Sequence, residues 1–123
     1  MSFHESLEQA KINEADVSEW REATLHRGGD DSSYKGFILI MKSNHLVFVK
    51  GKGIIGSARK VYDVPIIKIK KVSKSLGLWI VEANLAEEKD GFLKKMFKHK
   101  LEMFNIKNPD AFVSKLKSLM NKE

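Results

Sequence analysis

The chain has 123 residues, of which 42% are hydrophobic and 31% charged, and it contains no cysteine. A domain of this length buries about two-thirds of the surface of its unfolded chain, so one globular domain is expected. The lack of cysteine excludes disulfides, thiolate zinc sites and thiol nucleophiles. The start of the chain is acidic and lacks the pattern of a signal peptide, and no apolar run approaches the roughly 18 residues of a membrane span. We therefore expect a cytoplasmic protein, with peripheral membrane attachment as an option.

The net charge of +6 is unevenly distributed along the chain. Residues 1–33 carry three basic and eight acidic side chains, a net of −5, whereas residues 34–123 carry a net of +11. Residues 34–81 hold ten Lys and Arg against one acid, Asp63. Such a concentration either solubilises a sheet and protects its edges or attracts an anionic partner.

The first residues are predicted to form a short amphipathic helix. Ser2 and Glu5 have the spacing of a capping box, and Phe3, Leu7 and Ala10 fall on one helical face. The polar stretch that follows favours a further helical turn before the first strand. We therefore divide the chain into an N-terminal helical extension, residues 1–16, and a main domain, residues 17–123.

The main domain is predicted to be mainly β, with about seven strands. The second and third strands are apolar on successive residues, so both of their faces are expected to be covered. Ser43 and Asn44 suit a tight hairpin between them. The predicted strands are residues 19–27, 34–42, 45–50, 60–64, 66–73, 78–85 and 100–107.

Two local patterns complete the prediction. In the fifth strand Ile67 and Ile69 alternate with Lys68 and Lys70, which predicts one buried and one charged face. After the seventh strand, Asn108 and Pro109 are expected to supply a cap and a first-turn proline for a helix. Its core-facing stripe comprises Phe112, Val113, Leu116, Leu119 and Met120.

The run YKGFILIMKSNHLVFVKGKGIIGSARKVYDVPIIKIKKV, followed late in the chain by NIKNPDAFVSKLKSL, resembles the small bacterial and archaeal pleckstrin-homology-like (PH-like) proteins and the related GRAM domains. The similarity covers about residues 17–122 and concerns patterns of residue type. It implies an α+β fold in which a seven-stranded antiparallel barrel is closed by a C-terminal amphipathic helix. It also implies a binding or scaffolding module without enzymatic activity. The loop GGDDSS departs from the family's phosphoinositide signature, because Asp30 and Asp31 would repel a phosphorylated head group.

Residue patterns for catalysis or cofactor binding are weak. Gly51, Gly53 and Gly56 match G-x-G-x-x-G, but the helix, second parallel strand and later acid of a dinucleotide site do not follow. The four histidines stand singly, and the acidic run before Gly91 lacks the spacing of a calcium loop. No nucleophile elbow is present. We expect no catalytic residue, no metal site and no cofactor.

The candidate binding site combines lysines with apolar residues in two loops. The resemblance implies that the loop between the third and fourth strands and the loop between the sixth and seventh strands share one rim. The cationic candidates are Lys50, Lys52, Arg59, Lys60, Lys94, Lys95 and Lys98. The apolar candidates are Ile54, Ile55, Phe92, Leu93, Met96 and Phe97, which would either enter a membrane interface or fold back into the core.

We expect the partner to be an anionic membrane surface or an acidic protein. Binding of nucleic acid is a less favoured alternative, because Trp20, Trp79, Tyr34 and Tyr62 are dispersed and no RNA-binding motif accompanies them. Tryptophans in strands are more often core residues. A further alternative is a homo-oligomer or scaffold in which another subunit buries the apolar rim.

Overall fold

The computed structural model describes residues 2–26, 33–53, 56–84 and 100–120. These residues form a single antiparallel sheet of seven strands with a short N-terminal helix and a C-terminal helix. The strands are β1 (Val17–His26), β2 (Ser33–Met41), β3 (His45–Lys50), β4 (Arg59–Pro65), β5 (Ile69–Ser75), β6 (Leu78–Ala83) and β7 (Lys100–Ile106). The α-helices are α1 (Phe3–Gln9) and α2 (Pro109–Met120), and two short 3₁₀ helices are Glu14–Asp16 and Ile66–Lys68. The mainly β prediction is confirmed.

The strand order in the sheet is β4-β3-β2-β1-β7-β6-β5. Strands β1 to β4 form one meander and β5 to β7 another, and antiparallel pairing of β1 with β7 joins them. The sheet is not closed, because β4 and β5 form its two edges in the described part of the chain. The 3₁₀ helix Ile66–Lys68 connects those edges.

The larger hydrophobic cluster, here called the inner cluster, lies between the two meanders and α2. Ile38, Ile40, Leu46 and Phe48 of β2 and β3 enter it from one side. Phe112 of α2 is fully buried in it. Its buried members are Ala23, Leu25, Ile38, Ile40, Leu46, Phe48, Tyr62, Val64, Ile66, Ile69, Val72, Val81, Ala83, Phe104, Ile106, Phe112, Val113 and Leu116. The predicted stripe of α2 is confirmed, since Leu119 and Met120 also pack against this cluster.

A smaller cluster, the outer cluster, covers the opposite face of β2 and β3. Phe3 and Leu7 of α1 pack there, as the predicted helical face requires. Ser2 caps α1 as predicted, because its hydroxyl accepts a 3.1 Å hydrogen bond from the Glu5 amide and donates one of 3.2 Å to Oε1 of Glu5. The buried members are Phe3, Leu7, Phe37, Leu39, Val47, Val49 and Ala58. The expectation that both faces of these strands are covered is therefore confirmed.

Close approach of β2 and β3 requires glycine at position 36. A Cβ atom on Gly36 would lie 2.0 Å from the carbonyl oxygen of Val49. The hairpin that joins the two strands is tight, as predicted, with Asn44 in the left-handed region at φ 62°. The Asn44 amide donates a 2.9 Å hydrogen bond to the Met41 carbonyl oxygen.

The predicted start of the fifth strand is wrong. Residues 66–68 form a 3₁₀ turn, so Ile66 and Ile69 are buried three residues apart. Ile67 is 76% exposed and does not share a face with Ile69. Asn108, the predicted cap residue, lies in the left-handed region at φ 49°. Pro109 is the first residue of α2, as expected.

The two tryptophans differ in their environment. Trp79 is half-buried against the inner cluster, with the Lys74 and Lys117 ammonium groups 5.6 and 5.8 Å from the ring centroid. Trp20 is 37% exposed and stacks on Phe3 with ring centroids 3.9 Å apart. The expectation of core tryptophans is thus wrong for Trp20, because an N-terminal helix covers only one side of its ring.

Candidate functional site

Several strand ends meet at one end of the sheet. His26, the last residue of β1, pairs with Ser33 at the start of β2 and with Met103 near the start of β7. At the same end Lys50 closes β3 and pairs with Arg59, the first residue of β4. The connections 51–58 and 85–99 are therefore attached to strand ends on the same side of the sheet.

Lys50, Lys52 and Arg59 are here called the basic rim. Lys50 and Arg59 are direct partners on adjacent antiparallel strands, so their side chains project from the same face. The Lys50 ammonium group lies 5.3 Å from the centroid of the Tyr34 ring, which is a cation–π contact. Because Tyr34 packs against the inner cluster, this contact holds the half-buried Lys50 side chain at the end of that cluster. Lys52 follows β3 and is exposed.

The charges of the basic rim are uncompensated within the described part of the chain. None of the salt bridges found there includes Lys50, Lys52 or Arg59. Two like charges directly opposite each other on adjacent strands repel one another and lower stability. An anion bound between them would remove that repulsion.

Lys60 belongs to a different environment. Its ammonium group donates a 2.8 Å hydrogen bond to Oδ2 of Asp63, and Nδ1 of His45 lies 2.7 Å from Oδ1 of the same carboxylate. Partial burial acts to raise the pKa of Asp63, but the hydrogen bonds and charges of Lys60 and His45 outweigh it and lower that pKa. The charge of Lys60 is thus neutralised locally, and the structure separates it from the basic rim.

The other predicted site residues lie outside the described residues. They are the cationic Lys94, Lys95 and Lys98 and the apolar Ile54, Ile55, Phe92, Leu93, Met96 and Phe97. Of the predicted site residues that are described, Lys50 and Arg59 are cross-strand partners, and Lys52 follows the end of β3.

Sequence reasoning missed a groove on the outer face of the sheet, beside α1. Its volume is about 490 Å³. The floor comes from β7, β1 and β2, and one wall comes from α1 and the segment after β3. The lining residues are Ser6, Glu22, Ala23, Thr24, Lys35, Gly36, Phe37, Gly51, Lys52, Asn105 and Lys107. The alternation of polar residues in β1 is the signal that could have indicated an uncovered face.

Among the described residues there is neither a cluster of metal ligands nor a candidate membrane-spanning helix. Within them, no three His, Asp or Glu side chains converge as metal ligands would. None of the helices found there combines the length and the apolar character that crossing a bilayer demands. The comparisons with known proteins add no family: no protein-family model matches the chain, and the search of curated proteins found no relative.

Proposed function

We propose that this chain is a PH-like module that binds a partner and has no enzymatic activity. Three features support the proposal: two antiparallel meanders joined through β1 and β7, a C-terminal helix against the core between them, and the sequence resemblance described above. In this proposal β4 and β5 approach each other through the 3₁₀ helix Ile66–Lys68 so that the sheet curves into the barrel of that fold.

We further propose that the basic rim contacts an anionic membrane surface. The observation that carries this step is the direct opposition of Lys50 and Arg59, two cations without a described carboxylate partner. Each cation near an anionic bilayer contributes about 1 kcal/mol of attraction. The lysines at 94, 95 and 98, close in sequence to the start of β7, would add to the same field. Association through a few such charges is weak and sensitive to salt.

Vesicle cosedimentation over a salt series tests the proposal. Reversal of two of the three rim charges in Lys50→Glu/Arg59→Glu should weaken pelleting with phosphatidylserine vesicles on the order of 30-fold or more, the equivalent of about 2 kcal/mol. Lys68→Glu/Lys70→Glu is the matched control, because these exposed lysines lie at the junction with edge strand β5 and make the same change in net charge. The control should retain binding.

Four results would contradict the membrane assignment. Equal pelleting with neutral and anionic vesicles would exclude an electrostatic contact, and no pelleting with either would exclude the membrane. Equal loss in the rim variant and its control would show that net charge alone, and not the rim, determines binding. Salt-sensitive gel retardation of DNA or RNA without vesicle binding would replace the proposal with nucleic-acid binding.

A further inference from the structure

The groove on the outer face contains a row of polar side chains across three strands. Thr24 of β1 pairs with Asn105 of β7 on one side and with Lys35 of β2 on the other. Direct partners project from the same face, and adjacent strands are about 4.8 Å apart, so the row spans about 10 Å. It presents an amide, a hydroxyl and an ammonium group in succession.

The positive charge of the groove is concentrated at one end. The Lys107 ammonium group donates a 3.1 Å hydrogen bond to Oε2 of Glu22, so the β7 end is neutralised. Lys35 and Lys52 line the other end, are exposed, and take part in none of the salt bridges between described residues. Two uncompensated cations thus face one end of a cavity of about 490 Å³.

The buried hydroxyl of Ser6 is a second indication of a ligand in the groove. This residue of α1 lines the groove and is fully buried, and its hydroxyl has no hydrogen-bond partner among the described residues. A buried hydroxyl without a partner costs about 1–3 kcal/mol, which is why most such groups are satisfied. Alanine would fill the same helical position without this cost. An acceptor atom on a ligand in the groove would give the hydroxyl a partner.

We propose that the groove binds a small phosphate monoester. The phosphate charge of about −1.5 to −2 at pH 7 matches the two free cations, whereas one carboxylate would leave one of them uncompensated. The phosphate binds at Lys35 and Lys52, and the body of the ligand lies over Thr24 and Asn105. A volume of this size suits a small molecule. The groove shares Lys52 with the basic rim, but the proposed ligand does not depend on membrane binding there.

Amide NMR titration of the full chain with glycerol 3-phosphate tests this site, with glycerol as the uncharged control. We expect saturable shifts at Thr24, Lys35, Gly51 and Asn105 with the phosphate ester and none with glycerol. Lys35→Ala should weaken binding about tenfold, as expected for a hydrogen bond to a charged group. Lys68→Ala, an exposed lysine outside the groove, should leave it unchanged.

Ser6→Ala separates ligand binding from folding. Loss of the unpartnered hydroxyl should leave the melting temperature equal or higher, while the affinity for glycerol 3-phosphate falls about fivefold. Thr24→Val, of similar shape, provides a second variant and should also weaken binding. Shifts that do not saturate by about 10 mM, or equal affinities of Lys35→Ala and Lys68→Ala, would overturn the proposal. Because Lys50 and Arg59 do not line the groove, Lys50→Glu/Arg59→Glu should still show saturable shifts at Thr24 and Asn105, and failure at the rim would remain distinguishable.

Discussion

The two faces of β2 and β3 are both apolar, but they are covered to different extents. On the inner face, Ile38 and Phe48 belong to a cluster that α2 and strands of both meanders enclose. On the outer face, Phe37 and Val49 are covered by α1, which has only seven residues. The inner face is closed along the described strands, whereas the outer face of β1 and β7 extends beyond α1.

The incomplete cover of the outer face determines where the groove lies. A helix of seven residues spans about 10 Å, which covers two strands but not four. The groove lies next to α1, with Ser6 on its wall and Thr24 and Asn105 on its floor. A short cover on a long sheet therefore leaves a polar recess next to an apolar cluster. Four substitutions probe this comparison of faces, in order of decreasing expected effect.

The largest effect is expected from Phe112→Ala in α2. Phe112 is fully buried in the inner cluster, and its truncation should lower the free energy of unfolding by about 3–5 kcal/mol. Urea denaturation of the variant and the unmodified chain measures this loss. A loss below about 2 kcal/mol would mean that the inner cluster collapses around the missing ring more easily than dense packing allows.

Leu7→Ala in α1 should have a smaller effect on the free energy of unfolding. Leu7 is almost fully buried, but it belongs to the smaller outer cluster, so we expect a loss of about 2–3 kcal/mol. Hydrogen exchange should show faster exchange in α1 while the amides of β3 stay protected. A loss equal to that of Phe112→Ala would contradict the distinction between the two covers.

Tyr62 and Asp63 are adjacent residues of β4 that face the inner and the outer side of the sheet. Tyr62 faces inward, and burial, with smaller contributions from Glu102 and Asp63, raises its pKa well above the usual range. Its hydroxyl has no hydrogen-bond partner among the described residues. Tyr62→Phe should leave the free energy of unfolding unchanged or raise it by up to about 1 kcal/mol, as measured by urea denaturation. A clear destabilisation would show that the hydroxyl has a favourable interaction.

Asp63 faces outward, and its contribution to the free energy of unfolding is expected to depend on pH. Its pKa is lower in the folded chain than the ordinary 3.8, so its contribution is present above that pH and is lost as the pH falls below it. Denaturation at pH 7 and pH 3 should therefore show a smaller difference for Asp63→Asn than for the unmodified chain. Glu5→Gln, a change of similar charge on α1, is the control and should keep the larger difference. An identical pH dependence of Asp63→Asn and the unmodified chain would contradict this role for the ion pairs.

Much of the fold follows from local patterns in the sequence. The cap at Ser2, the turn at Asn44 and the stripe of α2 depend on residues close together in the chain, so short-range rules were sufficient. The prediction was wrong at Ile67 because alternation over four residues does not distinguish a strand from a 3₁₀ turn. It was wrong at Trp20 because the side on which α1 packs depends on distant residues.

In the candidate site, too, some features follow from local sequence and others depend on the tertiary structure. Lys50 and Arg59 lie close together in the sequence, and antiparallel pairing of β3 with β4 places them opposite each other, while Lys52 follows the end of β3. The separation of Lys60 by Asp63 and His45 depends on a β-bulge between Phe48 and Val49, which no residue pattern reveals.

The sequence by itself determined the mainly β composition, the C-terminal helix and the division of the +6 net charge into an acidic start and a basic body. These properties depend on residue type and on periods of two or 3.6 residues. Only the tertiary structure decided that Ser6, Thr24, Lys35 and Asn105 meet in one groove. They come from α1, β1, β2 and β7, and the pairing of β1 with β7, across about 80 residues of chain, places them side by side.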